Sequence, residues 1–236
     1  MMLFYTVKRF SNALRTKNSK IFTNKPQEQP QATLLFCEGA KRYGKKDYTK
    51  AVSLLRQAGK DGHAGAQFLL SECYYMGYGV KENPKQAFFW MKKAAVQGDE
   101  IAQSRLGKMY ELGEGVPENF RLAAYWYKKA ARQGVAHAQW HLGLCYEYGK
   151  GVLLSDRAAL SWYRKAALAG NEGAQYSLAA AYYFGMEDIL KSDANTALFW
   201  YEKVAGNEDA DEARKDFAVS MVQRLKEKGH TARKKS

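Results

Sequence analysis

An all-α chain of stacked helical hairpins is the fold class this sequence predicts, on three observations. A unit of 36 residues recurs from Gly62, Gly98, Gly134 and Gly170, and Gly206 opens an incomplete further copy. Within each unit alanine, leucine and tyrosine fall at i, i+4 and i+8, along one helical stripe. A glycine closes each stripe and a second apolar helical pattern follows, so each unit is two helices joined by a turn. Such a unit buries its apolar faces only against its neighbours.

In chain order, residues 1–30 come first, a basic leader with six Lys or Arg and one acid. Leu3, Val7, Phe10 and Leu14 take helical spacing beside Arg9, Arg15 and Lys17, a pattern that predicts mitochondrial import, with a cytoplasmic protein as the alternative. Residues 31–61 form a shorter, divergent hairpin. The regular copies span 62–97, 98–133, 134–169 and 170–205. Their first helix, A, opens on Ala66-Gln67, Ala102-Gln103, Ala138-Gln139 and Ala174-Gln175, and reaches tyrosines 74, 110, 146 and 182. Glycines 77, 113, 149 and 185 stop it, and the first three copies add a second glycine and a valine (GYGV, GEGV, GKGV). Glycine tolerates the positive φ of a helix C-terminal cap, so these are turns.

Helix B pairs Ala87 with Trp90, Ala123 with Trp126, Ala159 with Trp162 and Ala197 with Trp200. Those tryptophans are expected in the core, where they supply much of the buried area. The fourth regular copy departs from the pattern: FGMEDILKSD lacks the second glycine, and Trp200 follows Trp162 by 38 residues instead of 36. Its longer turn is offset by a shorter helix. In residues 206–228, Ala210, Ala213, Phe217, Met221 and Leu225 keep helical spacing and predict a capping helix, followed by a basic tail, 229–236.

The formal charge of +13 suggests a polyanion partner, but residues 1–30 and 214–236 contribute +5 and +6, leaving +2 between them. No run approaches the ~20 apolar residues of a membrane span. Cys73 and Cys145 share a register two copies apart and are expected to be small core residues; no CxxC spacing is present. His137 and His141 are four apart, but Ala138 stands where a zincin has its glutamate. The glycine pairs follow helices and not strands, which is the wrong context for a phosphate loop. The expectation is therefore no catalytic residue, no cofactor and no metal.

The pattern AQxxLGxxYExGxGV followed by AxxWYxKAAxQG resembles the Sel1-like repeat family over residues 62–205, and Gly39, Tyr48 and Ala51 take tetratricopeptide-like positions in the hairpin 31–61. The resemblance implies a right-handed α-solenoid whose A helices line a concave groove for protein or peptide partners. The paired cysteines of the family's disulfide-rich branch are absent.

Comparing the copies separates what stacking demands from what is left free. On helix A the position after the glutamine reads Phe68, Ser104, Trp140, Tyr176; four later it reads Glu72, Lys108, Leu144, Ala180; three further on it reads Tyr75, Glu111, Glu147, Tyr183. These columns share one face. Phe68, Glu72, Tyr75, Lys108, Glu111, Trp140, Leu144, Glu147, Tyr176 and Tyr183 are the expected groove residues, with aromatic anchors and charges that set register. The function this predicts is a non-enzymatic adaptor or scaffold holding a protein or peptide partner. The alternative is a nucleic-acid-binding or ribonucleoprotein-associated helical-repeat protein that uses its basic tails.

Overall fold

The computed structural model describes residues 30–186, 189–208 and 210–233. All but one residue of the proposed leader, and the last three residues of the tail, lie outside them. The order is α1 (Pro30–Gly44), α2 (Tyr48–Lys60), α3 (Ala64–Met76), α4 (Pro84–Val96), α5 (Glu100–Leu112), α6 (Phe120–Arg132), α7 (Ala136–Glu147), α8 (Asp156–Leu168), α9 (Glu172–Phe184), α10 (Ala194–Ala205) and α11 (Glu212–Arg233). Among the described residues no β-strand forms, and Met186 and Leu190 make an isolated antiparallel bridge. None of these helices is long and apolar enough to cross a membrane. Two compact units divide between Glu118 and Asn119, so α1–α5 belong to the first and α6–α11 to the second.

Capping fixes where the helices start and stop. Asn83, Asn119 and Ser155 accept the N–H three residues on, at 3.1, 3.0 and 3.3 Å, and open the B helices α4, α6 and α8. Each such cap contributes about 1 kcal/mol. Gly77 and Gly113 close α3 and α5 in the left-handed conformation, with φ of 71° and 70°.

The repeated glutamine has a structural task. Its Nε2 donates to the carbonyl eight residues earlier, near the end of the preceding B helix: Gln67 to Gly59, Gln103 to Ala95, Gln139 to Ala131 and Gln175 to Ala167, at 2.9–3.3 Å. Each of these carbonyls also accepts the N–H of the turn glycine three residues on, and the added glutamine bond ties each A helix to the helix before it. In the first unit Gln97 completes the arrangement, donating to Gln67 Oε1 at 2.7 Å and to the Gly62 carbonyl at 2.8 Å. Gln97 stands 30 residues after Gln67; 30 residues after Gln139 the chain carries Ala169, and the Gln139 Oε1 is buried without a hydrogen-bond partner among the described residues.

The second glycine of each pair does more than turn the chain. A Cβ on Gly79 would stand 2.5 Å from the Tyr48 carbonyl; on Gly115 it would collide with the Pro84 carbonyl, and on Gly151 with the Phe120 carbonyl. The turn backbone thus rests on the start of the preceding B helix, where only hydrogen fits. The copy without a second glycine closes its longer turn through the Met186 N–H, which donates to the Leu190 carbonyl at 2.7 Å.

Two sequence expectations about the core need correction. Trp90 and Trp126 are buried, but Trp162 and Trp200 are half-buried. The residue after each tryptophan lies deeper: Met91, Tyr127, Tyr163 and Tyr201 are 0–3% exposed. On the last helix the buried stripe is Ala218, Met221 and Leu225; Ala213 is exposed, Ala210 precedes the helix, and Phe217 is 43% exposed. Its first turns spend Arg214 and Phe217 on other contacts, described below. Cys73 and Cys145 are buried, and burial pushes the Cys73 thiol up to about 12.

Candidate protein-interaction surface

In the first unit, the A helices α3 and α5 build a small charged cleft. The Glu72 carboxylate is 5% exposed and accepts from Arg105 Nη2 at 3.4 Å. Tyr75 Oη donates to Glu114 Oε1 at 3.1 Å. Met91, Met109 and Lys108 complete the walls. Burial raises the Glu72 carboxyl above its ordinary range, with Arg105 pulling the other way. Burial first, and then the bond to Glu114, raises the Tyr75 phenol. The interior space is about 30 Å³, room for a water or the tip of one side chain. Small-molecule sites enclose roughly 300–1,000 Å³. A surface that can hold the end of a side chain and offers both charges suits a macromolecular partner.

In the second unit the corresponding face is covered. Trp140 lies on Gly173, where a Cβ would stand 2.7 Å from the indole, and its Nε1 donates to Ser177 Oγ at 3.3 Å. Arg214, from α11, sits 5.1 Å from the indole centroid and donates from Nη1 to Glu172 Oε1 at 2.6 Å. Tyr176 meets the rings of Tyr201 and Phe217 at 6.2 and 5.6 Å. Glu147 accepts a short hydrogen bond from Tyr163 Oη. Burial, followed by that bond, drives the Tyr163 phenol well above its ordinary range. The rings of His137 and His141 pack against Trp140 and Tyr127, respectively.

The structure therefore sorts the sequence-predicted groove residues. Phe68 is a core residue at 1% exposure and cannot touch a partner, and Glu72 is buried except where the cleft opens. Trp140 and Tyr176 pack between elements of the second unit and are not open anchors; Trp140 leans on Gly173, as Phe36 does on Gly65 in the first unit. Glu147 is engaged by Tyr163, and Tyr183 packs on the core formed with α11. Tyr75, Lys108, Glu111 and Leu144 are partly exposed. Glu72, Tyr75 and Lys108 line one cleft. Two charged cleft residues, Arg105 and Glu114, went unpredicted. Arg105 belongs to a column that also varies (Leu69, Arg105, His141, Ser177), and Glu114 sits between turn glycines; variation at both positions was the available signal.

Helical hairpins joined by short turns, with each A helix pinned to the preceding B helix, define a helical-repeat protein of the α-solenoid class. The Sel1 repeat model matches residues 32–63, 64–99, 101–135, 136–171 and 173–207, and the chain belongs to the Sel1 repeat family. The match takes in the short first hairpin. Among solved structures, the chain is similar to a protective antigen of uropathogenic Escherichia coli with an SLR fold, at 29% identity and a TM-score of 0.72 over 86% of this chain and 47% of that one. It thus spans about half of that antigen's length. It is also similar to a Sel1 repeat protein from Oxalobacter formigenes, at 26% identity and a TM-score of 0.69 over 92% of this chain and 98% of that one. No curated protein sequence matches it. Proteins of this family are generally non-enzymatic and commonly scaffold protein–protein interactions.

Proposed function

We propose that this chain is a non-enzymatic scaffold that holds a protein partner on the A-helix faces, with the first unit's cleft as the contact. The observation that carries the reading is the cleft itself: Arg105, Lys108, Glu114 and Tyr75 surround a space of about 30 Å³ at positions the copies leave free, while repeated residues do the packing. Glu72 and Glu114 favour a lysine or arginine from the partner. The test is capture by the full chain against Tyr75→Ala with Lys108→Glu. Loss of a partner that the parent retains, by a variant that keeps the parent's helicity and a cooperative melt, supports the reading; equal capture removes it.

The nucleic-acid alternative draws on one observation. The B helices α2, α4 and α6 carry three, three and four Lys or Arg and no acid, so a balanced total conceals basic helices. A salt titration of RNA binding decides this, because phosphate contacts lose affinity steeply with salt. The basic leader supports a mitochondrial address, tested by fusing residues 1–30 to a fluorescent reporter; diffuse cytosolic signal would refute it.

A further inference from the structure

In a stack of hairpins each repeat touches its neighbours. The contact between α11 and α7 breaks that rule: the A helix α9 lies between them in the repeat order, yet the Arg214 guanidinium reaches the Trp140 indole at 5.1 Å. The same guanidinium bonds Glu172, at the start of α9. Three residues on, Phe217 meets Tyr176 at 5.6 Å and Tyr201 at 6.1 Å. Residues at i and i+3 share a helix face, so one face of α11 presents a guanidinium and a phenyl ring to a tryptophan, a carboxylate and two tyrosines.

The fit is incomplete. Arg214 engages one oxygen of Glu172, while Oε2 is buried with no hydrogen-bond partner among the described residues. Phe217 remains 43% exposed. A guanidinium approaching as a fork satisfies both carboxylate oxygens, which lysine cannot do. An unpaired buried oxygen carries a free-energy cost that such a ligand removes. Helix ends also open more readily than helix centres, and Arg214 stands in the first turn of α11.

We infer that this surface is a binding site for a partner helix bearing an arginine followed three residues later by an aromatic residue, and that the first turns of α11 are its resident, displaceable occupant. The inference rests on the reading of A-helix faces as protein-binding surfaces. It names the partner by chemistry: a forked cation to lie on Trp140 and pair with Glu172, and a ring to lie on Tyr176.

The test uses the full chain and a labelled peptide with the sequence of residues 208–222, EDADEARKDFAVSMV. The variant Arg214→Ala with Phe217→Ala removes the resident contacts and is expected to bind the peptide at least tenfold more tightly than the parent. Adding Glu172→Gln to that variant, or replacing the peptide's arginine by lysine, should abolish the gain. If the double variant loses helicity, Arg214→Lys, which keeps the charge and loses the fork, takes its place. Equal binding by parent and variant, binding indifferent to Glu172, or self-association of the variant without peptide binding each overturns the inference. Continued partner capture through Tyr75 and Lys108 in the same variants would leave the first unit's role standing.

Discussion

The two units run the same scaffold with opposite outcomes on the A-helix face. In the first, α3 and α5 leave Lys108, Tyr75 and the edge of the Glu72–Arg105 pair at a cleft open to solvent. In the second, α11 brings Arg214 and Phe217 onto Trp140 and Tyr176. Both faces use the positions the copies leave free, and both rest on the same glutamine and glycine contacts. Freedom from stacking is thus permission to bind something, and in the second unit that something is the chain's own last helix.

The largest expected effect probes the shared scaffold. Trp126→Ala should cost about 3–5 kcal/mol, as buried aromatic truncations do, and Trp162→Ala clearly less, because Trp162 is half-buried under Lys165. Chemical denaturation of the two variants gives the comparison, and equal losses would mean the scaffold is indifferent to that burial.

Next comes the difference between the faces. Trp140→Ala should cost about 2–3 kcal/mol, since it removes contacts with Gly173, Ser177 and Arg214. Tyr75→Ala should cost about 1 kcal/mol, the loss of one part-buried hydrogen bond and some packing. Similar losses at both sites would erase the distinction between a covered face and an open one.

A smaller, stabilising effect is expected from Ala169→Gln. Its amide would reach the unpartnered Gln139 Oε1 and the Gly134 carbonyl, as Gln97 does for Gln67 and Gly62, and add about 0.5–1.5 kcal/mol. A lower melting temperature would show that a glutamine at 169 does not do for Gln139 what Gln97 does for Gln67.

The smallest effect is a pH dependence confined to the first unit. Glu72 ionises at higher pH folded than unfolded because burial penalises its charge. Between those two values the folded state binds more protons, so its stability falls as pH rises through the window. Glu72→Gln removes that loss, and its melting temperature relative to the parent should be more favourable at pH 7.5 than at pH 4. An offset independent of pH would mean the carboxyl titrates normally.

Much of the fold was legible because stacking repeats its demands. The 36-residue period, the stripe through Leu70, Leu106, Leu142 and Leu178, and the turn glycines each appear copy after copy. What was not legible depends on partners one or two copies away. Trp140 looked like an open anchor because it varies, but its space is made by Gly173, a second variable position 33 residues later. Glu172 and Arg214 lie outside the repeated columns and meet only through the fold. The basic character of α2, α4 and α6 vanished into a balanced total because the acids lie on other elements.

The central claim is that the variable A-helix face of the second unit binds a helix, α11, through Trp140 and Arg214. A double-mutant cycle of Trp140→Ala and Arg214→Ala in the full chain, read by equilibrium denaturation, tests it most directly. Stacked over the indole and paired with Glu172, the guanidinium should couple to the ring by about 1 kcal/mol or more. Additivity within roughly 0.3–0.5 kcal/mol would contradict the claim, leaving α11 a cap that merely passes over the face.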